Sequence, residues 1–418
     1  MKDTIKQRIE QVRRGEVPKG YQRNKSFIFP NDWELLPLNT VLFENKERNF
    51  NKKYSKGDVL SVSGESGVVN QIVFMGRSYA GASVDNYHVV ETGDLVYTKS
   101  PLKENPYGII KLNCGNPGIV STLYAVYHCQ KPYTAQYLNQ YFCIDRYLNN
   151  YLKPLVKRGA KNDMKVNNDD VIRGHIAFPS DAEQQKIIKI LAQCDKVIAL
   201  KQELLDEKRK QKKWMMQKLL KRQATWVKAT IGKLTTICAG ATPSTKEQNY
   251  WNGDIRWMSS GELNLKQVYE VKGRISENGL KNSGTKMLPK NCVLVGLAGQ
   301  GKTRGTVAIN HVPLCTNQSI AAILPCNKFS TEYMFWNLES RYMELRKLSS
   351  GDEARGGLNL DLIGGLVVYL PPIEEQERIA SILSTADKEI NLLEQELAAW
   401  KEKKEGLTQL LLTGLVRV

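Results

Sequence analysis

FPSDAEQQKIIKILAQCDKVIAL at 178–200 and LPPIEEQERIASILSTADKEINL at 370–392 are two copies of one pattern. Pro179 matches Pro371, Glu183 matches Glu375, Gln184 matches Gln376, Ile187 matches Ile379, Leu191 matches Leu383, and Asp195-Lys196 matches Asp387-Lys388, all at a constant offset of 192. Upstream, Trp33 in NDWELLPL answers Trp226 in ATWVKATI at an offset of 193, so the repeated unit is nearly half the chain. A duplicated unit of that size predicts two similar domains, and two similar sites or one site split in two.

Each copy runs from mixed sequence into one long helix. In the second, Ile379, Leu383, Ala386, Ile390, Leu393, Leu397, Trp400, Lys404, Leu407 and Leu411 step by alternating four and three, the seam of a coiled coil. The corresponding seam of the first is Ile187, Leu191, Cys194, Ile198, Lys201, Leu205, Lys208, Lys212, Met215 and Leu219. Three lysines make that helix a poor partner for itself. Residues 186–222 hold 12 Lys/Arg against 4 Asp/Glu, whereas 374–412 hold 5 against 9. Opposite charge and matched length therefore predict that the two helices pair with each other, and within one chain the pairing must be antiparallel. About 34 helical residues would make a rod of about 50 Å. The alternative is two amphipathic helices, each packed on its own globule.

The mixed regions predict α/β or α+β globules of about 150 residues. Strand-like runs stand at VVNQIVF (68–74), DLVYT (94–98) and YGIIKL (107–112), followed by a helical stretch at 134–153. The second copy repeats the order with VLVGLA (293–298), GTVAI (305–309) and SIAAILP (319–325) before a helix at 331–348. The domain reading is a helical arm at 1–30, a globule at 31–178, a central helix at 179–222, a second globule at 223–370 and a C-terminal helix at 371–418.

Composition narrows the function classes. At 41% hydrophobic and 25% charged the chain is an ordinary folded one, and no run approaches the roughly 18 apolar residues of a membrane span. The basic N-terminus lacks a signal-peptide core, so the cytoplasm is the expected compartment. Eight single cysteines show no zinc spacing, and the four histidines stand far apart, so no metal site is expected. A formal charge of +17 suits a polyanion, because each phosphate neutralised by Lys or Arg releases counterions.

One motif points to a different chemistry. Gly296, Gly301, Lys302 and Thr303 in VLVGLAGQGKTRGTVAI form a literal G-x-x-x-x-G-K-T, which would make the chain a P-loop NTPase. That reading needs a helix beginning at Lys302 to face the phosphates. Arg304-Gly305-Thr306-Val307-Ala308-Ile309 reads instead as another strand, so a strand-loop-strand hairpin with a polar tip is expected. No G-x-S-x-G, H-E-x-x-H or dinucleotide fingerprint is present, and no catalytic residue is assigned.

The pattern as a whole resembles the specificity subunits of type I restriction-modification systems. The likeness rests on a Trp-initiated domain, the P-x-x-x-E-Q-x-x-I entry into a long helix, a second such pair, PPIEEQERI at 371–379, the Leu-Thr-Gly close at 412–414, and GATPSTKEQNYWNGDIRWMSSGELN at 240–264. It implies an α+β protein of two α/β target-recognition globules separated by two long helices paired as an antiparallel coiled coil. It also implies a non-catalytic subunit that reads one half of a bipartite double-stranded DNA target with each globule. Its partners would be two adenine methyltransferase subunits with S-adenosylmethionine and two restriction-translocase subunits with ATP and Mg²⁺, no cofactor resting on this chain. Base-reading candidates are polar and basic residues at inferred loop tips: Lys99, Lys103, Asn105, Arg158, Lys161 and Asn162 in the first globule, and Ser259, Ser260, Gln300, Lys302, Arg304, Ser350 and Arg355 in the second. Arg and Lys suit guanine edges and phosphates, Asn and Gln adenine edges. A coiled-coil scaffold without DNA affinity is the remaining alternative.

Overall fold

A computed structural model describes residues 2–24, 27–158, 164–299, 303–348 and 357–418; the side chains of residues 2–4, 157, 158, 164 and 165 are not described. The chain forms two compact units, one of residues 1–200 with 397–418 and the other of 201–396. Both boundaries fall inside the long helices, which run Asp181–Leu219 and Ile373–Leu412.

In the first unit the strands Leu42–Glu44, Tyr124–Cys129, Leu95–Thr98 and Ile109–Leu112 lie side by side in that order, all antiparallel. Alternation along the strands buries both faces. Leu95, Tyr97, Ile110 and Tyr127 pack under the helices Pro132–Phe142 and Asp145–Leu152, and with Ile187, Leu191, Leu411 and Leu412 of the long helices. Val96 and Val126 pack on the other face with Leu60, Val90 and Val120. A separate two-stranded ladder joins Glu34–Pro37 to His175–Phe178 and so delivers the chain to the start of the central helix.

The second unit repeats this topology. Ile237–Ala239, Ile320–Ile323, Val293–Gly296 and Val307–Asn310 take the same order, with Gln267–Val268 added in parallel at the edge. Val227–Thr230 pairs with Val367–Leu370, as Glu34–Pro37 does with His175–Phe178. Its core joins Val293, Val295 and Ile309 to Tyr333, Phe335 and Leu338, with Ile379 and Leu383 of the C-terminal helix and Met215 and Leu219 of the central one.

The repeated Glu-Gln acquires a physical reason. Gln184 and Gln376 are both buried. Gln184 donates from Nε2 to the Pro179 carbonyl at 3.0 Å and accepts from the Thr134 hydroxyl at 3.0 Å. Gln376 donates to the Pro371 carbonyl at 2.8 Å and accepts from the Ser330 amide at 2.9 Å. Each glutamine thus ties the long helix both to its own entry and to the sheet-covering helix. Glu183 is buried as well, accepting from Trp33 Nε1 at 3.2 Å and from Arg417 at 2.6 and 2.8 Å, and Arg417 also reaches Asp32. These two carboxylates hold the Arg417 guanidinium above its ordinary range, and its hydrogen bonds hold Asp32 below the usual carboxylate value.

The seam lysines meet carboxylates on the other helix. In the second unit Lys201 faces Glu396 at 2.5 Å, Lys208 faces Glu389 at 2.7 Å, Arg209 faces Glu394 at 2.6 Å, and Lys212 bonds Asp387. In the first, Lys404 faces Asp195 at 2.5 Å. Partners that rise in number on one helix as they fall on the other are the mark of antiparallel pairing. Of the apolar seam, Ile187, Leu191, Leu205, Ile379, Leu383, Ile390, Leu397 and Leu411 are buried, while Ile198, Met215, Leu219, Leu393 and Leu407 are partly so.

Three expectations are corrected. The arm at 1–30 is helical only over Lys2–Arg13 and ends in a β-hairpin, Tyr21–Asn24 with Phe27–Pro30. The run at 68–74 is strand only to Asn70, whose side chain accepts from the Ile72 and Val73 amides and starts a helical turn, Gln71–Met75. The helices at 134–153 and 331–348 each break, at Cys143–Ile144 and at Arg341. A straight helix over 134–153 would reach about 30 Å, well past four strands spaced about 4.8 Å apart; the break turns Leu148 and Leu152 back over the sheet.

Charge reversal tests the helix pairing. Lys208→Glu and Lys212→Glu together should lower the urea midpoint by the equivalent of about 1 kcal/mol per reversed contact, and adding Glu389→Lys and Asp387→Lys should restore most of it. Gln376→Leu, which strands a buried carbonyl and amide, should cost about 1–3 kcal/mol in the same measurement.

Candidate nucleic-acid interface

The inter-strand loop stands at the same place in both units. In the first it joins Leu95–Thr98 to Ile109–Leu112, and in the second Val293–Gly296 to Val307–Asn310. Glycine is demanded by close approach: a Cβ on Gly108 would sit 2.1 Å from the Thr98 carbonyl oxygen, and one on Gly296 2.3 Å from that of Thr303. Gly296 and Gly305 close the second hairpin through Gly296 N–H to the Thr306 carbonyl and Gly305 N–H to the Gly296 carbonyl, both 2.9 Å. The G-x-x-x-x-G-K-T string therefore leads into a strand, Val307–Asn310, and among the described residues no helix begins between Thr303 and that strand, as P-loop chemistry would need.

In the first loop Lys99 is half-buried beyond the end of its strand, and burial lowers its ammonium pKa against the opposing pull of Glu44. Lys103 stands fully out in solvent near Glu104. Asn105 is a correction: its amide is buried, donating to Asp145 Oδ1 at 2.8 Å and accepting from Asn149 at 3.2 Å, so it pins the loop to the helix Asp145–Leu152. Arg158 lies on a short ladder, Lys157–Arg158 with Met164–Lys165, but its side chain is outside the description. Lys161 and Asn162 lie outside the described residues, as do Gln300, Lys302, Ser350 and Arg355.

In the second unit Ser259 is also a correction. Its amide and hydroxyl both bond Glu262 Oε2, at 2.9 and 3.0 Å, forming a capping box for the turn Ser260–Leu265. Ser260 is half-exposed on that turn. Arg304 is partly buried, and its carbonyl accepts from Arg346 Nη1 at 3.4 Å. The Leu358 amide bonds the Leu297 carbonyl at 2.9 Å, so the strand leading to residues 300–302 and the segment leaving 349–356 lie side by side.

This geometry adds residues the sequence reading missed. Arg346, on the helix Tyr342–Leu348, joins Arg304 at the hairpin and lies 5.6 Å from the Tyr342 ring centre, with exposed Lys347 next to it on that helix. In the first unit Arg48 and Lys99 lie close enough to His88 to disfavour its protonation, with burial the larger cause, and its pKa is pushed down to about 4. Only a tertiary fold brings these groups to the loops. Arg304 and Arg346 thus meet at the second hairpin, and Lys99 stands at the end of the first strand of the first hairpin. Among the described residues no three His, Cys, Asp or Glu are grouped to hold a metal, and no described helix is long and apolar enough to cross a membrane.

Residues 223–401 match the family described as type I restriction modification DNA specificity domain. Among curated proteins, the MjaIX specificity subunit of Methanocaldococcus jannaschii is 32% identical over 39% of this chain and 38% of its own length. The EcoR124I/EcoR124II specificity subunit of Escherichia coli is 26% identical over 60% of this chain and 65% of its own length. The alignments thus span less than two thirds of these relatives. The type I S subunit from M. genitalium superposes with a TM-score of 0.56 at 13% identity, covering 93% of this chain and 97% of that one. A chain from a type I R-M system studied for complex assembly gives 0.58 at 16%, covering 93% and 99%. At such identities the two structures establish the fold.

His88 gives the interface a pH signature. With a folded pKa near 4 against about 6.5 unfolded, the unfolded chain binds the extra proton between those values, so stability contributed above pH 6.5 is lost as pH falls toward 4. The urea midpoint should drop over that window, and the drop should be smaller in His88→Asn.

Proposed function

We propose that the chain is a specificity subunit of the type I restriction-modification family, the subunit that selects the DNA target for such a system. The observation that carries this reading is the repeated strand-loop-strand hairpin, set on the same sheet in both units but carrying different polar side chains. A common scaffold with divergent loops is what recognition of two different half-sites requires. Lys99, Lys103, Arg158, Lys161 and Asn162 in the first unit, and Ser260, Gln300, Lys302, Arg304, Arg346, Ser350 and Arg355 in the second, are the side chains assigned to base edges and phosphates. The charge of +17 supplies the sequence-independent part of the affinity.

The paired helices hold the spacer between half-sites unread. The chain performs no chemistry itself. Two methyltransferase subunits carrying S-adenosylmethionine flip and methylate the target adenines, two restriction-translocase subunits use ATP and Mg²⁺, and the assembly works in the cytoplasm.

The test is a footprint of the chain with its methyltransferase subunit, expected to protect two short blocks about one helical turn apart; one continuous block would refute the split target. Exchanging residues 31–178 for the equivalent segment of a relative should change one half of the methylated motif read by long-read sequencing and leave the other intact. Lys302→Ala should alter only the half-site read by the second unit; loss of nucleotide binding would revive the P-loop reading. Affinity that does not fall as salt rises would favour a scaffold without DNA affinity.

A further inference from the structure

The second unit carries a groove that its likeness to the first does not predict. It encloses about 450 Å³ between the helix Thr331–Ser340 and the opening turns of the C-terminal helix. Its floor is apolar, built from Ile309, Phe335, Trp336 and Ala380, all buried. On one wall Tyr269, 64% exposed, lies flat on His311, with ring centres 4.3 Å apart and planes at 12°. His311 Nε2 is held by Gln267 at 2.6 Å, so that wall is fixed in place. Tyr269 thus presents an exposed aromatic face on a fixed support, on which a planar cation can stack.

The electrostatics choose the occupant. Glu332 and Glu377 line the groove, and neither makes an ion pair among the described residues. Asp387, also lining it, is already paired with Lys212, and burial lowers the His311 pKa against the opposing pull of Glu332. Lys388 is the one lysine or arginine of the lining. On a chain of +17 this is a locally acidic, aromatic recess, unfavourable for a phosphate backbone and suited to a guanidinium that stacks on Tyr269 and pairs with a carboxylate.

The first unit does not offer the same surface. At the 192-residue offset Glu377, Ala380 and Ser381 are replaced by Gln185, Ile188 and Lys189, which removes a carboxylate, fills the floor and adds a cation. An occupant chosen by these groups binds once per chain. We propose that this groove receives an arginine-bearing, apolar-flanked segment of a methyltransferase subunit, and that it makes the two methyltransferase subunits bind this chain with unequal affinity. The proposal rests on the function argued above for the partner's identity.

Native mass spectrometry and sedimentation of the full chain with its cognate methyltransferase subunit provide the test. The wild type should take up two copies in two separable steps. Glu332→Gln with Glu377→Gln, and separately Tyr269→Ala, should weaken one step about tenfold, leaving the other step, the thermal midpoint and the DNA footprint unchanged. A photo-crosslinker, p-benzoylphenylalanine, in place of Tyr269 should attach to a methyltransferase peptide containing arginine. Unaltered assembly of the variants, or crosslinking to DNA or to a second copy of this chain, would overturn the groove assignment while leaving the specificity-subunit reading intact. A wild-type chain that bound no methyltransferase subunit would overturn both.

Discussion

An ammonium group on the apolar seam of a helix is tolerable only opposite a carboxylate, and this constraint governs how the chain is put together. Lys201, Lys208 and Lys212 are each more than two-thirds shielded, and each faces an acid of the C-terminal helix. A single such pair adds little net stability, but a seam lysine without its acid would carry an uncompensated desolvation cost. The pairs therefore act mainly by choosing among alternatives. Pairing the central helix with itself would bring lysines together, and slipping the antiparallel register by one heptad would set Lys208 and Lys212 against Ile382 and Ala380 in one direction and Lys201 against Lys403 in the other. Only the observed match satisfies all of them.

The same helices are also part of the globules. Gln184 and Gln376 fasten them to the sheet-covering helices, and Ile187, Leu191, Ile379 and Leu383 continue the cores. A domain boundary drawn at the helix entry divides one hydrophobic cluster. The two copies differ in how the circuit closes. In the second unit residues 220–226 connect helix to globule covalently. In the first, the two ends of the chain meet, and Arg417 bridges Glu183 and Asp32 while the Tyr21 hydroxyl bonds the Gly414 carbonyl. Glu183 is thus a buried ion-pair partner, whereas its match, Glu375, is half-exposed and makes no ion pair among the described residues.

Legibility followed periodicity. The 192-residue offset, the seam and most central strands could be read because each leaves a repeat or an alternation in one dimension. The helical turn after Asn70 could not, because one side-chain cap overrode three β-branched or aromatic residues. Asn105 and Ser259 look like loop tips in sequence, yet their hydrogen bonds point inward, to Asp145 and to Glu262. Arg346 was invisible for the converse reason: it ends an ordinary helix, and only the break at Arg341 turns that helix toward the hairpin. Long-range side-chain contacts leave no local signature.

Most positions where the copies agree at the helix entries are buried or on the seam, whereas the loop tips between the strands differ. Each hairpin needs a glycine for its backbone, but on opposite arms: Gly108 precedes the second strand and Gly296 ends the first, and in each a Cβ would collide with a carbonyl across the turn. Once Gly296 and Gly305 are set by the hairpin, a polar tip of Gln-Gly-Lys-Thr is one of many sequences the loop can hold, and its match to a nucleotide-binding string arises from that glycine meeting a variable tip. The chemistry of such a string is decided by the element that comes after it. Here Val307–Asn310 is a central strand, hydrogen-bonded on both sides, and the loop it anchors is rigid at its base and free to vary at its tip. That combination is of little use for cradling a phosphate on a helix N-terminus, and it is what a surface needs if its specificity is to change without cost to the fold beneath it.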